Sequence, residues 1–324
     1  SSSLHAGPSL SQVPLSSQVV AWHPHPNMPK NKGILKADAK PRRRCTAKAK
    51  PHKAETCATS GGSRPQAPRG LKAQLLGDRG SWLYGAFLMS GSHVVAELMA
   101  HAGYGFLVVD LEHGASSCES TALHMMQAVA AVRVPVLVRV ALNRPELIKK
   151  ALDLGPAGII VPLVDCLKEA EAAVAACRYP PRGHRGVAFP LVRASAWGMD
   201  AGYLQEAEDR CLLLCQVETP RAVREIGPIL AADGVDGVFV GPLDLSASLG
   251  HLGDVGHPDV RRALGSVEAA ARLRPEKVLA GFAAGRPVAK MREAGYRLIA
   301  CSADVALLRD AARRDVQASL LGTG

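Results

Sequence analysis

Two acids, Glu218 and Asp244, each stand just beyond a short apolar run, at 212–217 and 235–240. Between the runs lies a helix-like segment opened by Pro220, with Val223, Ile226, Ile229 and Leu230 at helical spacing. The order is strand, helix, strand, with a carboxylate at each exit. Parallel strands joined by a right-handed crossover end on the same side, so these two side chains can converge on one ion. Paired hard oxygen donors suit Mg2+ or Mn2+, with Co2+ a third choice, and leave other positions for water and substrate. The same spacing also fits a plainer arrangement, with Glu218 capping the helix at Pro220 and Asp244 in a solvated turn.

Other polar residues fall at comparable places. The run ending near Val109 is followed by Asp110, Leu111, Glu112, His113 and Gly114, and the run ending at Val138 by Arg139. His113 stands out from His93, His101, His124 and His251, which read as ordinary surface or core histidines, because it sits in an acidic cluster before a glycine that permits close backbone approach. Arg139 has an alternative as a structural ion-pair partner of Asp110 or Glu112. Asp153 ends a helical segment, where a carboxylate is disfavoured, and this misfit hints at some other duty.

The elements that must position these residues alternate regularly from Trp82 onward. Expected strands are 84–89, 105–109, 134–138, 158–161, 212–217, 235–240, 278–282 and 297–300. Expected helices include 93–102, 121–132, 145–154, 168–177 and 260–273, with a last one after Asp304. Eight such units over about 240 residues fit a (β/α)8 TIM barrel, whose chemistry sits at the carboxyl ends of its strands. A doubly wound open sheet is the second choice, disfavoured because no Gly-x-Gly-x-x-Gly follows the first strand. The interval 178–209, rich in Pro, Gly and Arg, reads as a long loop of the fourth strand-helix unit near the barrel mouth.

Composition narrows the function classes. The net charge of +10 resides in residues 1–70, which carry 12 Lys/Arg against 2 Asp/Glu and leave 27 of each sign for 71–324. A neutral barrel domain at 71–324 argues against nucleic acid as its partner. Residues 1–70 are Ser-rich, Pro-rich and basic without apolar periodicity, so a disordered N-terminal extension is expected. Their acid-poor composition resembles an organellar transit peptide, with the chloroplast as first destination and mitochondrion or cytoplasm as alternatives. A plain disordered extension or a nucleic-acid-binding arm remains the other reading. No run of about 18 apolar residues announces a membrane helix. Eight scattered cysteines without a Cys-x-x-Cys argue for reduced thiols, with Cys211 and Cys215 in the core.

Six motifs, in this order, carry a resemblance: DLEHG at 110–114, VRV at 138–140, KALDLG at 150–155, YPPRGHRG at 179–186, QVET at 216–219 and GPLDLSASLG at 241–250. The chain resembles, over about residues 80–318, the metal-dependent class II pyruvate aldolases of the 4-hydroxy-2-oxoheptanedioate aldolase family, which includes 2-keto-3-deoxy-rhamnonate and 2-dehydro-3-deoxyglucarate aldolases. The resemblance implies reversible cleavage of a 4-hydroxy-2-oxo acid to pyruvate and an aldehyde. It implies Glu218 and Asp244 as ligands of a divalent cation, and Gln216, Leu243, Asp244 and Arg139 as contacts of the oxo acid. Arg139 would also stabilise the enolate, His113 would be the general base, and Asp153 would raise its basicity. His184 and Phe87 depart from the family pattern and bear on the aldehyde pocket. A homohexamer with an exchanged final helix is also implied, for which 303–316, with Val305, Leu307, Leu308 and Ala312 on one side, is the candidate. That helix fits equally well packed on its own barrel.

No lysine falls at a strand exit, since Lys149, Lys150 and Lys168 lie on expected helices and Lys277 at the start of a strand. This separates the chain from Schiff-base aldolases. The rival enzymatic reading is a carbon-carbon lyase of the citrate-lyase or malyl-CoA-lyase kind, which would act on a CoA thioester. From other classes, a nucleic-acid-binding protein working through its tail and a silent barrel scaffold are the alternatives.

Overall fold

The structure, a computed structural model, describes residues 70–115 and 119–321. The basic extension expected at 1–70, with its transit-peptide reading, lies outside the described residues but for Gly70. In chain order the elements are α1 (Leu71–Gly77), β1 (Leu83–Leu88), α2 (His93–His101), β2 (Phe106–Asp110), α3 (Glu119–Ala130), β3 (Val136–Arg139), α4 (Pro145–Asp153), β4 (Gly158–Val161), α5 (Leu167–Cys177) and α6 (Tyr203–Arg210). They continue with β5 (Leu212–Val217), α7 (Pro220–Arg224), α8 (Ile226–Ala231), β6 (Gly237–Val240), α9 (Pro242–Ser248), α10 (Pro258–Arg272), β7 (Val278–Phe282), α11 (Val288–Glu293), β8 (Leu298–Ala303) and α12 (Asp304–Leu321). The eight strands pair in sequence order, all parallel, and β1 closes on β8. This is the expected (β/α)8 barrel.

Strand periodicity explains how the rim acquires its polar residues. Side chains two apart share a face. Phe106 and Val108, Leu137, Leu212 and Leu214, Phe239, Val278 and Ala280, and Leu298 and Ala300 belong to one cluster that fills the barrel. Their neighbours, such as Leu107, Val109, Leu213 and Cys215, pack outward against the helices. Two steps on from the inward set come Asp110, Arg139, Gln216 and, one step past its strand, Glu218. The interior row therefore turns polar at the carboxyl end while keeping its phase.

The opposite end is closed by α1, a helix absent from the sequence expectation. Leu71 and Leu75 are buried in the interior cluster. Lys72 pairs with Asp236 at 3.0 Å, and Arg297 donates to the carbonyls of Leu75, Asp78 and Ser81. Those bonds also satisfy carbonyls at the helix C-terminus, which have no intrahelical partner.

Two expectations are corrected, and a third, left open for the last helix, gains an observation. The helix expected from Pro220 to Leu230 is two helices, α7 and α8, meeting at Glu225. Pro228 has no N–H for the Arg224 carbonyl and its ring clashes there, so the first helix stops. The long interval 178–209 follows α5 rather than β4, so it joins a helix to β5 and lies at the end of the barrel away from the mouth. Its anchors agree: Arg193 Nη1 donates to the Leu154 carbonyl at 2.5 Å and His184 N to Ala175 O at 2.9 Å, both at helix C-termini. His184 therefore takes no part in a pocket at the mouth. Finally, α12 leaves Val305, Leu307, Leu308, Val316 and Leu320 exposed, so much of its apolar surface has no partner on its own barrel. No helix among the described residues is long and apolar enough to cross a membrane.

Candidate active site

At the carboxyl end, Asp110 and Arg139 are register partners of β2 and β3. The Asp110 carboxylate, fully buried, accepts from Arg139 Nε at 2.9 Å and Nη2 at 2.7 Å. Its Oδ1 also accepts from the backbone N–H of Glu112 at 3.1 Å and of His113 at 3.4 Å. One carboxylate thus orients the guanidinium and folds the turn that carries His113. Gly114 completes that turn, because a Cβ there would lie 2.2 Å from the Asp110 carbonyl oxygen. Arg139 Nη1 lies 3.0 Å from Glu112 Oε2, and the guanidinium sits 4.9 Å from the centre of the Phe87 ring. The ion-pair reading of Arg139 and its place in the site are therefore both realised. Burial, the largest influence, weakens the Arg139 cation, but Asp110 and Glu112 outweigh it and hold its pKa above the ordinary value.

Glu218 is almost wholly buried, with Oε1 accepting from Leu163 N at 2.8 Å and Oε2 from Gln216 Nε2 at 2.5 Å. Burial raises its pKa most, the two hydrogen bonds oppose, and the charges of Asp244 and Glu112 push it up further. Glu112 is likewise raised, first by burial, then lowered by Arg139 and His113, with Asp110 and Asp244 acting upward. Three carboxylates thus sense one another's charge, while Arg139, among the described residues, is shared between Asp110 and Glu112. Asp244 occupies the first turn of α9, directly after β6. At the junction, a Cβ on Gly241 would stand 2.8 Å from Glu218 Oε2, so the backbone of β6 passes close against that acid because the residue is glycine. Gln216 Oε1 is buried without a hydrogen-bond partner. An acid cluster short of positive charge, an unsatisfied amide oxygen and a glycine-lined cradle fit a divalent cation held by Glu218 and Asp244.

Beside them lies a cavity of about 180 Å³ lined by His113, Arg139, Gln216, Gly241, Leu243 and Asp244, with Glu218 behind Gln216, which donates to it. Its apolar wall is Phe87, Met89, Phe239 and Phe282. The three phenylalanines contact edge to face, Phe87 lying 5.9 Å from each of the other two. His113 is 57% exposed in its side chain and stands 3.9 Å from Glu112 Oε1. Leu243 is half exposed at the rim. Of the residues expected from sequence, His113, Arg139, Gln216, Glu218, Leu243 and Asp244 are brought together.

Asp153 is not. It ends α4 and pairs with Arg185 at 2.8 Å, on the side of the barrel where helices lead back into strands. Within one chain it is a partner of Arg185, and His113 lies at the other end. Glu112 is a carboxylate in contact with the His113 ring, at 3.9 Å, and sequence reading offered it only as an ion-pair partner. Met89, Phe239 and Phe282 were also missed, since aromatic and thioether side chains in apolar runs read as core.

Residues 83–311 match the model of the HpcH/HpaI aldolase/citrate lyase family. The chain is 39% identical to a 2-keto-3-deoxy-L-rhamnonate aldolase from Klebsiella pneumoniae over 73% of its length and 88% of that protein. It is 41% identical to a hydroxypyruvate/pyruvate aldolase from Cupriavidus necator over 71% of its length and 85% of that protein. Among solved structures, a HpcH/HpaI aldolase/citrate lyase family protein from Burkholderia cenocepacia superposes with a TM-score of 0.71 at 43% identity, covering 76% of this chain and 97% of the other.

Proposed function

Since the chain belongs to the HpcH/HpaI aldolase/citrate lyase family, we propose that it is a class II pyruvate aldolase, cleaving a 4-hydroxy-2-oxo acid reversibly to pyruvate and an aldehyde. The observation that carries this reading is the convergence of Asp244, Gln216 and Arg139 on one cavity with His113 at its rim and Glu218 directly behind, accepting from Gln216. The relatives named as aldolases support it over a CoA-thioester lyase.

A divalent cation held by Glu218 and Asp244 would supply Lewis-acid stabilisation of negative charge on the keto oxygen of the substrate. The chain's own groups do the rest. Gln216 offers an amide whose Oε1 is unengaged, at the buried end of the cavity. Arg139, held rigid by two hydrogen bonds to Asp110, presents a permanent positive charge where the oxo acid develops enolate character. His113 takes the proton of the C4 hydroxyl during cleavage and returns it during synthesis. Its exposure lets it exchange that proton with solvent. Among the described residues no lysine lines the cavity, in keeping with a route that needs no Schiff base.

The aldehyde end follows from the lining. Beyond Arg139 and His113 the described wall holds no cation, and Phe87, Met89, Phe282 and Leu243 are apolar. This favours an uncharged aldehyde fragment over one ending in a carboxylate. The exposed apolar residues of α12 support packing against a second copy, and sedimentation would show an assembly larger than a monomer.

The test is pyruvate release from a panel of 4-hydroxy-2-oxo acids, with neutral and carboxylate-bearing tails, under Mg2+, Mn2+ and Co2+ in turn. Metal-dependent release, faster on neutral tails, is expected. Cleavage confined to CoA thioesters, or trapping of a pyruvate adduct by borohydride, would overturn the assignment.

A further inference from the structure

Two imidazoles and a carboxylate near the start of α10 take no part in the chemistry above. His251 Nε2 lies 3.2 Å from Asp259 Oδ2, and His257 Nδ1 lies 3.7 Å from the same oxygen. All three atoms fall within 4.8 Å of one another, and among the described residues this is the one group of three or more His, Cys, Asp or Glu that does so. Donor atoms sharing a tetrahedral ion, with bonds of about 2.0–2.1 Å, stand roughly 3.3–3.5 Å apart. The two measured separations straddle that edge.

The surroundings favour an ion over a purely structural cluster. The His251 and His257 rings are stacked, with centroids 3.4 Å apart and planes 18° from parallel. The other carboxylate oxygen, Oδ1 of Asp259, is taken by Arg262 Nη1 at 2.8 Å, which leaves Oδ2 for the imidazoles. The backbone beneath is tied down: His251 N donates to Ser246 O at 2.8 Å and Gly253 N to Ser246 Oγ at 3.2 Å. Above it the rings are partly exposed, with side-chain accessibilities of 26% and 32%. Binding one ion in both ring planes requires the rings to leave the stack, for which their outer sides face solvent. Such an ion would displace two hydrogen bonds, the 3.2 Å bond between His251 Nε2 and Asp259 Oδ2 and the 3.2 Å bond from Asp259 N to His257 Nδ1.

We propose that His251, His257 and Asp259 form a second metal site, for a transition ion of the Zn2+ class, with a fourth position open to water. Imidazole donors select such ions against Mg2+, while the oxygen donors of Glu218 and Asp244 suit Mg2+ and Mn2+. The two sites therefore differ in the ion they take. The loop of His251 hangs on Ser246, two residues after Asp244 on α9, and Asp259 begins α10, so the bound ion clasps the helix that carries a ligand of the first site to its successor.

The experiment is a Co2+ titration of the full-length protein in excess Mg2+, followed by visible absorption, because a four-coordinate site with imidazole donors absorbs far more strongly than six-coordinate oxygen. One intensely absorbing equivalent per chain is expected, and Zn2+ should bleach it. The band should persist in Asp244→Asn, which removes the first site, and binding should weaken by at least about tenfold in His251→Ala and in Asp259→Asn. His251→Ala should keep its Mg2+-supported pyruvate release within about twofold, as expected of a residue outside the reacting centre. Loss of the proposed aldolase activity in Asp244→Asn with the band intact separates the two assignments. A missing or weak band, a band unchanged in both His251→Ala and Asp259→Asn, or a band lost with Asp244 overturns the proposal.

Discussion

Asp110 and Arg139 are paired twice: as register partners in adjacent strands, and through two hydrogen bonds of 2.9 and 2.7 Å between carboxylate and guanidinium. The backbone pairing sets the depth of both side chains, and the side-chain pairing sets the direction of the cation. Replacing Arg139 with Lys keeps a charge but loses the fork geometry, and pyruvate release should fall by about 10²–10³-fold. Asp110→Asn, with Arg139 intact, should lower kcat more than it raises KM, because it loosens a positioned group. Steady-state kinetics on both variants and on the double variant check this, and strict additivity would count against the coupling.

Gly241→Ala is a test of the cradle. The added methyl would stand 2.8 Å from Glu218 Oε2 and 3.2 Å from its Cβ, so the acid must move. A displacement of that order should cost about 10²-fold in turnover while the melting temperature changes little. Activity close to wild type would mean that the position of Glu218 is not critical.

Removing the cation with a chelator should abolish activity, and Mg2+ or Mn2+ should restore it. Glu218→Gln and Asp244→Asn each delete one anionic donor, and half-maximal activation should shift to metal concentrations higher by on the order of 100-fold or more. Metal titrations of initial rate measure the shift directly.

Cys215, wholly buried on β5, has its thiol pushed up to about 12, chiefly by burial. It should resist alkylation in the native protein at mildly alkaline pH and react once the chain is denatured, which peptide mapping would show. The folded chain keeps this proton while the unfolded chain releases it from about pH 9.0 upward, so stability falls between there and about pH 12. A Cys215→Val variant should lose stability less steeply over that interval, with a difference approaching about 1.4 kcal/mol per pH unit.

Much of the barrel was legible because apolar runs and helical segments alternate, and because polar residues interrupt the inward phase only at strand exits. Glu218 could be placed from Leu212, Leu214 and Gln216 by counting in twos. What separate strands cannot state is how they align, so the Asp110 and Arg139 partnership stayed one option among several until the register was known. Phe239 and Phe282 share the inward phase with core residues, and nothing in their type marks them as cavity wall. The interval at 178–209 reads as a loop of the mouth only because long loops usually serve a site; the expected helix 168–177 directly before it already puts it at the other end. Helix α1 escaped notice because seven residues, LKAQLLG, are too few to display a period. His251 read as an ordinary surface residue, since its partners His257 and Asp259 come next to it only through the turns that follow α9.

The side chains that fill the barrel, with Leu71 and Leu75 packed beneath them, make the cavity a blind well rather than a tunnel. Traffic in and out uses the same doorway, past His113 and Leu243. A cleaved molecule whose oxo-acid half rests at the bottom must surrender its upper half before the lower can depart, so the queue is dictated by depth. Product-inhibition kinetics should therefore show the aldehyde leaving ahead of pyruvate, with pyruvate seated first on the return trip.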